Sequence, residues 1–125
     1  MLTRSSPMTD LAHHEQRFWT VAEPLLQLPG VTRSTMMGLP CLRVNEAFFA
    51  SWDRATGALL VKLPEAEVDR LVADGKADPF APAGRRFREW ASIPVARSRA
   101  WPKVLERAFD HVSKLPPTKP ARRQR

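Results

Sequence analysis

Residues 38–75, GLPCLRVNEAFFASWDRATGALLVKLPEAEVDRLVADG, constrain the fold more than any other stretch of this chain. They predict two strands, a turn, a third strand and then a capped helix. Leu42, Val44 and Phe48 alternate with polar or oppositely facing neighbours, the pattern of a sheet with one buried and one wet face. Residues 53–57 (DRATG) supply a hairpin loop whose glycine can take a positive φ. Pro64 stands where a first helical residue tolerates proline, and Gly75 where a helix needs a left-handed stop.

The 125 residues suffice for one domain with one core, large enough to fold without staples. A single cysteine, Cys41, excludes an internal disulfide framework and a cysteine-based zinc cage. The unbroken apolar runs are too short for a membrane span, and the polar N-terminal residues lack a signal peptide's apolar segment, so a soluble cytoplasmic protein is expected. The net charge of +7 is unevenly spread. Residues 1–83 carry 8 Lys/Arg against 10 Asp/Glu, residues 84–113 carry 7 against 3, and residues 114–125 carry 5 against none. Much of the excess therefore sits in a Pro-rich, aromatic-free tail that buries too little surface to fold.

Along the chain, residues 1–8 read as a leader, 9–115 as a single domain and 116–125 as a disordered basic tail. Thr9 or Asp10 can cap a helix running to about Leu28, with Leu11, His14, Phe18, Val21, Leu25 and Leu28 on one stripe and Pro24 interrupting it. Residues 31–37 open the sheet, Gly38, Leu39 and Pro40 turn it, and residues 41–44 and 47–52 follow as strands joined at Asn45-Glu46. Residues 58–63 form the next strand. Residues 64–74 are an amphipathic helix burying Val68, Leu71 and Val72, with Glu65 and Glu67 where the helix dipole favours acid. Phe80 anchors a loop over residues 75–84. Residues 85–95 alternate as a last strand with Phe87, Ala91 and Ile93 inward, and Pro94 marks an edge or an end. Ser98 can cap a final helix carrying Trp101, Leu105, Ala108, Val112 and Leu115 inward. The order α-β-β-β-β-α-β-α gives an α+β domain, a small antiparallel sheet with helices packed on it.

This order resembles the MmcQ/YjbR family and, more distantly, the N-terminal domain of TfoX, over roughly residues 18–113. The likeness is carried by Leu28-Pro29-Gly30-Val31, Gly38-Leu39-Pro40-Cys41-Leu42-Arg43-Val44, Phe48-Phe49-Ala50 and Leu60-Val61-Lys62-Leu63-Pro64. Gly84-Arg85-Arg86 with Trp90, and Ala108-Phe109-Asp110-His111-Val112 near the end, complete it. Relatives often carry tyrosine where Ala108-Phe109 stands, and this chain has no tyrosine. The resemblance implies a double-wing fold and DNA binding. The same general fold occurs in secretion chaperones that bind proteins, and no catalytic residues come with it.

The residues themselves offer little reaction chemistry. His13 and His14 are adjacent and diverge by about 100° on a helix, Asp10 can pair locally with His14, and His111 stands alone, so no metal or other cofactor is implied. Cys41 lacks a visible base and reads as a small buried thiol. The five glycines are scattered turn residues, not a phosphate loop. Lys62, the lone charge of its strand, and Arg43 read as side chains leaving a sheet face, with an anion contact as the alternative for Lys62. The nucleic-acid candidates are Lys62, Arg85, Arg86, Arg88, Trp90, Arg97, Arg99, Lys103 and Arg107. Arg99, Lys103 and Arg107 recur every four residues, and Arg86 and Arg88 share a predicted strand face with Trp90, where arginine can hold phosphate beside a stacked base. Local pairing with Glu89, Glu106 and Asp110 is the competing expectation.

Two function classes stay open. One is a small non-enzymatic protein binding DNA or RNA through its C-terminal basic surface. The other is a module binding a polypeptide partner through a sheet face or helix groove, as a monomer or weak homodimer. One continuous surface of arginines favours the first, and a large exposed apolar patch favours the second.

Overall fold

A computed structural model describes residues 7–36 and 38–115 of the chain. Helix α1 (Pro7–Leu26) buries Phe18, Ala22 and Leu25, the i, i+4, i+7 spacing of one helical face. Pro24 lies in its last turn and lacks the N–H that would reach the Thr20 carbonyl. Beyond it the chain tightens, with Gln27 N–H on the Pro24 carbonyl at 3.3 Å and Leu28 N–H on that of Leu25 at 3.0 Å. Six strands follow in one antiparallel sheet: β1 (Val31–Met36), β2 (Leu39–Val44), β3 (Ala47–Trp52), β4 (Leu59–Lys62), β5 (Asp78–Pro79) and β6 (Trp90–Ile93). Their spatial order is β1-β2-β3-β4-β6-β5. Helix α2 (Glu65–Ala73) links β4 to β5, and helix α3 (Trp101–Ser113) follows β6 through a 3-10 turn (Val95–Ala100).

The turns obey the backbone rules read from the sequence. Asn45 and Glu46 have φ of 51° and 70°, the paired positive values that a two-residue hairpin needs to match strand twist. Gly30, at φ 83°, accepts the Asn45 N–H at 3.1 Å, and a methyl group on it would lie 2.8 Å from the Asn45 side-chain oxygen. Gly75, at φ 75°, ends α2 with its own N–H on the Val72 carbonyl and that of Lys76 on the Leu71 carbonyl, the paired bonds of a Schellman motif.

One sheet face carries the core. Leu42, Ala50, Val61 and Ala91 stand directly across from one another, and Trp52, Leu59 and Ile93 form the adjacent row. The register slips between Leu42 and Arg43, so Phe49 is an extra residue in β3 and both Phe49 and Ala50 point inward. That bulge lets Phe49 meet Phe109 of α3 edge-on, with ring centroids 5.9 Å apart. It also sends Phe48 to the other face beside Arg43, whose guanidinium lies 5.3 Å from its ring, and not inward with Leu42 and Val44 as strict alternation predicts. Helix α3 packs centrally on β2, β3 and β4 through Trp101, Leu105, Ala108 and Val112. Helix α1 flanks it against β1, and Val68 of α2 joins the same core from the β5–β6 side. The other face is drawn from Ser34, Cys41, Ser51, Leu60 and Ser92, a cross-strand row whose central members are buried.

Other expectations need correction. The last strand is confined to Trp90–Ile93, and residues 85–89 are exposed loop. The ladder runs out of partner: the Leu63 N–H reaches the Glu89 carbonyl at 2.9 Å, and the chain then turns at Pro64 into α2, leaving residues 85–88 no strand to pair with on that side. Phe87 is consequently not inward. It is 39% exposed, packed on Phe80 at 5.7 Å, and Leu28 and Leu115 likewise surface at 37% and 40%. Gly38 alone of the predicted 38–40 turn remains a turn, since Leu39 and Pro40 already belong to β2. Helix α1 opens at Pro7, ahead of the Thr9 or Asp10 cap and within the expected leader. Ser98 does not cap α3, because the 3-10 turn intervenes and Ala100 takes the capping position. The expected tail, 116–125, lies outside the described residues.

Candidate nucleic-acid interface

Helix α2 begins with three acids at alternate positions, Glu65, Glu67 and Asp69, and these decide the fate of the predicted basic surface. Arg86 places a guanidinium nitrogen 3.1 Å from Asp69, and Arg88 places one 3.4 Å from Glu65. Arg107, reaching across from α3, makes a two-pronged contact with Glu67: Nη2 donates to Oε1 and Nε donates to Oε2, the latter at 3.1 Å. It also meets Asp110 at 3.4 Å. The hydrogen bonds that the Arg107 guanidinium donates to Glu67 hold it even above its ordinary high range, against an opposing effect of burial. Lys62 lies 3.8 Å from Glu89, and Lys114 lies 3.0 Å from Asp110.

Five cations and five carboxylates thus interleave around α2 and the face of α3 beside it. Alternating signs within a Debye length cancel at the distance of an approaching phosphate. The network ties the loop of residues 85–89 and helix α3 to α2. Arg85 is exposed over the Phe87 ring at 5.4 Å, and Trp90 is half-buried opposite Lys62 in the sheet. Because residues 85–89 are loop, Arg86 and Arg88 do not share a strand face with Trp90, as the alternation had predicted.

Arg97, Arg99 and Lys103 behave differently. They are exposed, occupy the 3-10 turn and the first turn of α3, and make no ion pair among the described residues. No acid occurs between Trp90 and Leu105. The change from 3-10 to α geometry at Trp101 takes Arg99 off the four-residue repeat, whereas Lys103 and Arg107 stay one turn apart on α3. A fourth cation arrives from a distant part of the chain: Arg17 of α1 donates through Nη1 to the Ser98 hydroxyl at 3.2 Å, in the middle of the basic turn. Sequence reasoning missed Arg17, because nothing in the α1 pattern announces that its outer side meets residue 98.

Comparisons with protein-family models, curated proteins and solved structures returned no match.

Two further features complete the inventory. A cleft of about 500 Å³ opens between α1 and the β1 side of the sheet, lined by Glu15, Trp19, Arg33, Thr35, Pro40 and Arg54 among others. Its residues come from three separated segments, so no local motif signalled it. Cys41 is fully buried, and burial pushes its thiol up from the ordinary range, partly countered by a hydrogen bond with Ser34 and the charge of Arg43. Among the described residues no three of His, Cys, Asp and Glu converge as metal ligands. The side chains of Asp10, His13 and His14 lie outside the described set.

Proposed function

We propose that this is a small cytoplasmic protein of MmcQ/YjbR type that binds the phosphate backbone of DNA or RNA and acts by binding, not by catalysis. The observation that carries the reading is the contact of Arg17 with Ser98, which adds a fourth cation to an acid-free turn bearing Arg97, Arg99 and Lys103. Four exposed cations that have no carboxylate partner among the described residues keep their charge available for phosphate, whereas Arg86, Arg88 and Arg107 already serve carboxylates on α2. The interface therefore centres on the 3-10 turn and the start of α3, with the basic residues beyond Lys114 adding nonspecific attraction. Contacts of this kind give affinity with little base preference.

Fluorescence anisotropy with a labelled duplex, read against salt concentration, tests the proposal. Each phosphate contact contributes about 0.9 to the slope of log K against log salt. The combined Arg17→Gln, Arg97→Gln, Arg99→Gln and Lys103→Gln variant should thus flatten the slope by up to roughly 3 to 4 units. Arg86→Gln with Arg88→Gln should leave it nearly unchanged. An unaltered slope in the fourfold variant, or no binding at low salt, refutes the reading.

A further inference from the structure

The two edges of the sheet are built differently. Strand β5 is two residues long and contains Pro79, which has no N–H to offer, so that edge is blunted. Strand β1 is six residues long, free of proline, and among the described residues has β2 as its only neighbour in the sheet.

The register fixes which main-chain groups β1 leaves open. Thr35 stands across from Pro40, which cannot donate, so this is a pair whose N–H and C=O groups face away from one another. The alternation of an antiparallel ladder puts Arg33, across from Leu42, in the same class. The N–H and C=O of Arg33 and Thr35 therefore point off the open edge, and among the described residues they make no hydrogen bond there. Both residues are exposed.

The side chains of these two residues line the 500 Å³ cleft next to that edge. Arg33 lies 4.6 Å over the Trp19 ring, and Arg54, whose guanidinium donates to the Gly38 carbonyl at 3.4 Å, closes the far end. The cleft's one carboxylate, Glu15, accepts a hydrogen bond from Trp19 Nε1 at 3.2 Å. Two guanidinium groups and an aromatic wall thus flank a strand edge with open donors and acceptors. An added strand would place alternate side chains over them.

We propose that the β1 edge is a docking site for an extended, acidic polypeptide segment of a partner protein, which pairs with Arg33 and Thr35 as a seventh strand and directs carboxylates to Arg33 and Arg54. Charge complementarity selects this occupant. A second copy of the chain would bring Arg33 of both protomers onto one face of a joined sheet, and the basic residues after Lys114 carry the wrong sign. The site is independent of the basic turn: Arg17 and Trp19 are two residues apart on α1 and so leave opposite sides of the helix.

Amide hydrogen exchange on the full chain, with synthetic peptides of about eight residues alternating Glu with Thr or Lys with Thr, tests the proposal. The acidic peptide at about 1 mM should slow exchange at Arg33 and Thr35 by about tenfold or more, and the basic one should not. Arg33→Glu with Arg54→Glu should reverse the preference. Thr35→Pro, which removes one outward N–H without touching the bonds to β2, should abolish protection at Arg33. The proposal is overturned if the acidic peptide leaves both amides unprotected, or if the two peptides protect equally. It is also overturned if protection rises with protein concentration alone, because a second copy then occupies the edge.

Discussion

Replacing Trp101 tests the packing on which the basic turn depends. Its ring is wholly buried at the start of α3, and Nε1 donates to the Ile93 carbonyl at 3.2 Å, so one side chain fastens the last helix to the last strand. The 3-10 turn bearing Arg97 and Arg99 is strung between those two points. Trp101→Ala removes the ring and leaves a cavity, a loss of about 3–5 kcal/mol for a large buried aromatic. Trp101→Phe keeps most of the apolar volume but leaves the carbonyl without its donor, a cost of about 1–3 kcal/mol. Against a typical total of about 5–15 kcal/mol, the alanine variant stands close to the limit of folding. Urea titration followed by far-ultraviolet circular dichroism avoids the change in tryptophan fluorescence. With a slope of about 2 kcal/mol/M, the alanine midpoint should fall by about 2 M and the phenylalanine midpoint by about 0.5–1.5 M. A Trp101→Ala chain within about 1 kcal/mol of the parent would falsify this account of the core.

Two further predictions follow from single contacts. Cys41 has its thiol raised from 9.0 in the folded state, so the native chain retains a proton that the unfolded chain releases, and stability should decline as pH rises above that value. Cys41→Ala should lack that component of the decline, and native Cys41 should resist alkylation until denaturant opens the sheet. A double-mutant cycle of Glu67→Gln with Arg107→Gln should give a coupling of about 0.5–1 kcal/mol at low ionic strength that fades toward zero near 1 M salt. Zero coupling at low salt would show that the fork between α2 and α3 is energetically idle.

The central elements were legible because local chemistry and global packing agree there. The Asn45-Glu46 and Asp53-to-Gly57 turns, the Gly75 stop and the Val68 face of α2 each answer a short-range requirement that short-range sequence can express. The errors arose where a partner was missing or remote. Residues 85–89 have the period of a strand, but alternation does not reveal that the neighbouring strand turns into α2 at Pro64 and leaves them without a partner. Phe48 and Phe49 exchanged roles because a bulge shifts the side-chain period by one residue, and β3 carries no glycine to mark it. Ser98 has the chemistry of a cap, yet its hydroxyl serves Arg17 while its carbonyl receives the Trp101 N–H. For the interface, the sequence displayed the cations and local acids such as Asp110, which does meet Arg107, but not the partners on α2. Those acids lie between 17 and 40 residues from Arg86, Arg88 and Arg107.

The central place of α3 has a consequence for how the chain meets the cell during synthesis. Strands β1 to β4 are consecutive hairpins and can pair as soon as residue 62 has left the ribosomal exit tunnel. Their inner face, with Leu42, Phe49, Trp52 and Val61, then has no central cover until residues 101–113 emerge behind them. Throughout that interval the nascent chain displays a half-finished hydrophobic sheet with an open β1 edge, the kind of surface that holdase chaperones recognise and that neighbouring nascent chains can join.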